Sequence, residues 1–174
     1  LVVHPGVGAP LAAAFLEEII SLGANRFIAC GGCGVLTNDI AVGHAIVITS
    51  AVRDEGTSCH YLPPSREAAA HPDAVQALEA VLRERGIAYL TSKSWTTDAI
   101  YRETPGRRAR RIAEGCQVVE MEAAAFFAVA QFREVTFGQL VYGGDLVVPE
   151  GWDDRAWVRR DSAREMLFWT AVEA

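Results

Sequence analysis

The chain has 174 residues, 51% of them hydrophobic, and a formal net charge of −6 at pH 7. That apolar fraction excludes a disordered chain, and the length suffices for one domain, read here as 1–174, with a sizeable core. The acidic balance argues against a nonspecific nucleic-acid binder, which would be basic, and no apolar run nears the roughly 20 residues that cross a bilayer.

No basic leader or hydrophobic signal region opens the chain, so a cytoplasmic protein is expected. Four cysteines without export signals suit a reducing compartment.

Residues 11–22 place Leu11, Phe15, Leu16, Ile19 and Ile20 at helical spacing with Glu17 and Glu18 opposite, and Gly23 stops the helix. Residues 26–30 read as a short buried strand ending at Gly31, Gly32 and Gly34. Cys30 and Cys33 have C-x-x-C spacing there, open to a redox reading, half a zinc site, or a glycine cluster closing a strand. Residues 45–52 are rich in β-branched side chains and predict a second strand. His60, beside Tyr61, is either an acid–base residue or a structural hydrogen-bonding one.

Residues 73–85 predict an amphipathic helix capped by Gly86, and 87–91 a strand. The basic run from Arg107 to Arg111 reads as a solvated helix face near a loop, with an RNA-contacting patch or an anion-gathering rim as alternatives. A short strand at 117–119 enters a very apolar helix at 123–132. Residues 136–142 predict a strand closed by Gly143 and Gly144, and 155–172 a final helix. Alternating helices and strands imply an α/β sandwich with a central sheet.

In such sheets ligands gather at the carboxyl ends of strands, where this sequence repeatedly puts glycines and carboxylates. Glu120 and Glu122 flank Met121 just before the apolar helix. The helix dipole accounts for one glutamate; in extended backbone both share a face and suit vicinal hydroxyls such as those of ribose. Asp145 follows two glycines, either as a turn residue or as a general acid. The Gly31–Gly34 cluster could cradle an anion with backbone N–H groups, although it matches neither a Walker loop nor a dinucleotide fingerprint.

Together these segments resemble the nucleoside phosphorylase family of hexameric purine nucleoside phosphorylases, uridine phosphorylases and related nucleosidases. The resemblance is carried by Gly6-Val7-Gly8-Ala9-Pro10, by Ala29 to Gly34 and by Ser50 to Ser58. It continues through Thr97 to Tyr101, Val119-Glu120-Met121-Glu122-Ala123 and Gly143-Gly144-Asp145. It implies a nucleoside phosphorylase-like three-layer α/β/α sandwich with a central mixed sheet. It further implies an enzyme cleaving a nucleoside, purine by preference, with phosphate to give base and ribose 1-phosphate. Inorganic phosphate would be a co-substrate, with no cofactor and no metal, and the assembly a homo-dimer or hexamer.

By the same resemblance Glu122, Met121 and Glu120 would hold ribose, and Val119, Ile100 and Tyr101 would form the base pocket. Gly31 and Gly32 would lie near phosphate, with Arg53 as a candidate cation, and Asp145 would protonate N7 of the base. Three departures bear on the acceptor. Ala29 stands where phosphorylases usually carry Arg, Gly32 where they carry Ser or Thr, and the family's N-terminal strand and phosphate loop are expected to be missing. Hydrolysis, uridine phosphorolysis and nucleoside binding without turnover are therefore kept as alternatives, with C-x-x-C redox chemistry as a remote one.

Overall fold

A computed structural model describes residues 1–174. In chain order the main elements are α1 (Ala9–Ser21), β1 (Arg26–Val35), β2 (Ala45–Asp54), β3 (Glu67–Ala69), α2 (Pro72–Glu84) and β4 (Tyr89–Thr97). They continue with α3 (Pro105–Ala113), β5 (Cys116–Glu120), α4 (Ala123–Arg133), β6 (Thr136–Val148), β7 (Gly151–Asp153) and α5 (Asp161–Glu173). No helix is long and apolar enough to cross a membrane.

The strands form one mixed sheet in the order β3-β2-β4-β5-β1-β6-β7. β1 and β6 run parallel from Arg26↔Thr136 to Cys33↔Gly143, as do β2 and β4. An antiparallel pairing of Ala45–Ile48 with Tyr142–Gln139 joins β6 back to β2, so five strands close on themselves. Helices cover both sides. Along β2, Ile46 and Ile48 pack toward α1 and α4, where Leu16, Phe126, Phe127 and Phe137 fill one core. Ala45 and Val47 point the other way, onto Leu78 and Leu82 of α2 and Leu167 of α5. Alternation of side chains across a strand makes this split possible, and the α/β sandwich expected from the sequence is what forms.

The glycine runs behave differently from expectation. β1 continues through Gly31, Gly32 and Gly34, and β6 through Gly143 and Gly144, so neither cluster ends a strand. The reason is close packing. A Cβ on Gly144 would stand 3.0 Å from the Cys33 carbonyl oxygen, and one on Gly32 3.0 Å from the Trp157 ring. The final helix also starts later than expected. Arg155 and Ala156 adopt φ of 47° and 52°, a conformation costly for residues with a Cβ. Arg155 donates two 3.0 Å hydrogen bonds to the Ile40 carbonyl, and a 3-10 turn at Trp157–Arg159 precedes α5.

The basic run is only partly a solvated face. Within α3, Arg108 donates to the carbonyls of Val147 and Leu36. Arg111 is buried between Asp54 and Glu114, at 2.7 and 2.9 Å, and lies over the Trp95 ring. Its charge organises the fold; Arg107 and Arg110 stay exposed.

Candidate active site

An open groove of about 1300 Å³ runs along β1 and is bounded by the loop before α1, the segment after β5 and the end of β6. It is open because β1 pairs with β5 only at Gly34 and Val35, leaving that edge free over the earlier residues. The carboxylates of Glu122, Asp145 and Glu103 all face it.

β5 delivers the first group. α4 is apolar on every side, with Ala123 to Ala130 all buried, so its first N–H groups have no access to water and need protein acceptors. Glu120 supplies them. One carboxylate oxygen accepts from the N–H of Glu122 and Ala123 at 2.8 and 2.5 Å. The other accepts from the hydroxyls of Ser94 and Thr96 at 2.9 and 2.6 Å. A carboxylate offers about four lone-pair positions, and all are taken. Burial, then the charge of Glu122, push Glu120 up to about 7 against the pull of those donors. The ribose role expected for Glu120 is thus corrected: its carboxylate caps the buried helix.

Glu122 sits at the N-terminal end of α4, half-buried and turned into the groove. Its Oε1 accepts the Gly8 N–H at 2.6 Å, and burial holds its carboxyl above the usual range. Gly8 caps α1, with φ of 96°, and Gly6 stands at 77°; this turn needs glycine because L side chains rarely adopt such angles. Met121 lies alongside in the groove.

Asp145 lies on β6, where the β6–β7 hairpin folds Trp152 back so that its indole N–H donates to Asp145 Oδ2 at 2.6 Å. Gly34 of β1 gives this carboxylate room. A Cβ there would lie 3.5 Å from Asp145 Oδ2 and 2.9 Å from a Val119 methyl. Val119 and Ile100 line the same end. Tyr101 does not: it is 97% exposed and lies outside the groove, because the turn at Ile100–Arg102 sends successive side chains in different directions. Its place in the base pocket of this chain is corrected accordingly.

Gly31 and Gly32 line the groove as strand residues. They form no anion-cradling turn, although a Cβ on Gly31 would meet nothing. Arg53 is corrected outright. Its guanidinium donates to Ser58 Oγ at 2.8 Å, to the carbonyls of Pro63 and Leu62, and to Ser65 Oγ at 2.6 Å. It is 7% exposed and holds its own loop together, away from the groove. The redox reading also fails. Cys30 and Cys33 are both free and lie three residues apart in extended backbone, hence on opposite faces. Burial raises both thiols rather than lowering them. No group of three or more His, Cys, Asp or Glu residues is arranged to hold a metal ion.

Three residues around the site were missed in the sequence: Glu103 and Trp157, which line the groove, and Trp152, whose indole reaches Asp145. Glu103 is half-buried beside Asp145, and burial together with that charge pushes it up to about 7. Trp157 lies across Gly32 and Gly144. Only the tryptophans had a visible signal, two large aromatics in a polar segment.

The phosphorylase superfamily model matches residues 1–166. The chain belongs to the phosphorylase superfamily. It is 32% identical over 143 residues to a guanosine phosphorylase of Halorubrum lacusprofundi, covering 82% of this chain and 59% of that protein. It is 32% identical over 168 residues to a uridine phosphorylase of Treponema pallidum, covering 88% and 64%. The chain thus spans about six-tenths of the length of these two curated relatives. An AMP nucleosidase from Bacteroides thetaiotaomicron superposes with a TM-score of 0.80 at 20% identity, covering 97% of this chain and 67% of that one. That likeness shows that this superfamily member shares its fold.

Proposed function

We propose that the protein cleaves the N-glycosidic bond of a nucleoside, preferentially a purine nucleoside, with phosphate as acceptor. The observation that supports this best is the convergence of Asp145 and Glu122 on one groove, with Val119, Ile100 and Met121 supplying apolar wall. In this reading the ribose sits against Met121 with its hydroxyls donating to Glu122, whose position is set by Gly8. The base lies over Val119 and Ile100, with N7 facing Asp145. Protonation there makes the base a better leaving group, while positive charge grows on the sugar. Phosphate approaches C1′ along the Gly31–Gly32 stretch, where a missing Cβ leaves space.

The mechanism asks for no cofactor beyond phosphate as co-substrate. Exposed apolar side chains such as Phe132 and Trp169 support a homo-oligomer, a dimer or hexamer, which light scattering would test.

Hydrolysis is the second reading, and one observation favours it. Arg53 is engaged elsewhere, and the arginine that does line the groove, Arg26, stands five residues from Gly31 along β1, about 16 Å at strand spacing. Phosphate recognition usually relies on such charge-assisted contacts.

The test is release of free base from adenosine, inosine, guanosine and uridine, each with and without phosphate. Phosphate-dependent release supports the phosphorylase; equal release without phosphate supports hydrolysis. Release from none overturns both.

A further inference from the structure

We propose that Glu103 is a second catalytic carboxyl, facing the same groove as Asp145 and acting with it to deliver a proton to the departing base. This rests on the nucleoside-cleaving reading above and adds a residue to it.

Glu103 follows the turn at Ile100–Arg102 and lies just ahead of α3. It faces the groove with Asp145, Val119 and Gly34. The titratable groups that line the groove with it include Asp145 from β6, Glu120 at the end of β5, Glu122 just after it, and the Cys33 thiol from β1. Arg102 on its own turn is exposed to solvent. Arg26, His4 and Asp73 also line the groove, and Arg108 of α3 is engaged with the Val147 and Leu36 carbonyls. Glu103, Asp145, Glu120 and Glu122 thus form a carboxylate-rich lining in which Arg26 is the one arginine. Like charges on partly buried neighbouring carboxyls disfavour full ionisation, so a proton is retained.

The two carboxyls differ in their hydrogen bonds. Asp145 Oδ2 accepts the Trp152 indole N–H. Glu103 is influenced only by burial and by the charge of Asp145, with no hydrogen bond from the chain. Its carboxyl is therefore free to meet a ligand.

In the step that follows, the C1′–N bond breaks and its electron pair goes to the base, whose ring nitrogen takes the proton from the carboxyl pair. An oxygen of monohydrogen phosphate forms the new bond to C1′, and the proton of that phosphate returns to the carboxyls. In hydrolysis the returning proton comes from the attacking water. Either way the protein ends as it began.

The experiment compares wild type with Glu103→Gln across pH 5 to 9, on inosine and on 7-methylguanosine, whose base is already cationic and needs no proton. Wild type should lose kcat/KM for inosine as pH rises through about 7. Glu103→Gln should lower kcat/KM for inosine about 100-fold or more, remove that alkaline limb and retain cleavage of 7-methylguanosine. An unchanged inosine profile in the variant overturns the proposal, and so does equal loss of both substrates, which marks a structural role. Wild-type cleavage of uridine alone overturns it while leaving the broader reading standing, whereas cleavage of no nucleoside removes both. Carbon NMR of the Glu103 carboxyl needs no turnover: titration in the ordinary carboxylate range would by itself overturn the proposal.

Discussion

Gly8 donates its backbone N–H to Glu122 Oε1 at 2.6 Å across 114 residues of sequence. The bond joins the N-terminal end of α1 to that of α4, and both helix dipoles favour a negative charge at that point. A carboxylate held this way keeps lone pairs free for a sugar.

Changes at either partner should therefore act on the same oxygen. Glu122→Gln is expected to cut kcat/KM for nucleoside at least about tenfold, the size of one lost charge-assisted hydrogen bond, with little change in Tm. Gly8→Ala places a Cβ at φ of 96° and should cost roughly 1–2 kcal/mol of stability. Because the two residues touch, the double variant should lose less activity than the product of the singles. Strict multiplicativity in a kinetic double-mutant cycle would show that the bond does not position Glu122.

Asp145→Asn should reduce turnover by about 10²–10⁴-fold, the usual worth of a general acid, while circular dichroism and Tm stay near wild type. Trp152→Phe removes only the indole donor at 2.6 Å and should have a smaller effect. Single-turnover base release measures both. A Trp152→Phe defect as deep as that of Asp145→Asn would mean that the hairpin, rather than the carboxylate, governs the rate.

Arg53 separates structure from phosphate binding. Its guanidinium satisfies carbonyls and hydroxyls between Ser58 and Ser65, and hydrogen bonds to a charged group are worth about 1.5–3 kcal/mol. Arg53→Lys cannot reproduce that fork and should lower stability by about 2 kcal/mol or more by urea unfolding. KM for phosphate, measured on the remaining folded protein, should not move. A selective rise in that KM would restore Arg53 to the site.

These cases show which parts of the molecule a sequence can carry. The helices α1 and α2 were legible because each buries one stripe, Leu16 in one and Leu78 and Leu82 in the other, and such stripes repeat locally. β2 was legible from its β-branched run. Gly31, Gly32, Gly143 and Gly144 were misread as strand ends because glycine usually punctuates. Here Trp157 packs on Gly32 and Gly144, and the Cys33 and Ala41 carbonyls stand against Gly144 and Gly143, so three of the four need the lack of a Cβ for contacts distant in sequence. The same reason hid Glu103, which matters only because Asp145, 42 residues later, faces the same groove. Glu120 and Glu122 were seen as a pair, but the hydroxyls of Ser94 and Thr96 that occupy the first of them come from a different strand.

Glu103 also predicts how stability depends on pH. Its value in the folded protein is pushed up to about 7, against an ordinary 4.5, so between those values the folded state binds more proton than the unfolded one. The stabilisation is complete below about 4.5 and is lost as pH climbs to about 7. Glu114, held low by Arg66 and Arg111, acts in the opposite direction, but its contribution changes below its ordinary value, outside this window. Glu103→Gln keeps the shape and removes the titration. Calorimetric Tm curves of wild type and Glu103→Gln should therefore separate as pH rises from 5 to 7.5, with the wild type falling more steeply. Parallel curves would mean that Glu103 ionises as it does in the unfolded chain, and its part in proton delivery would have to be given up.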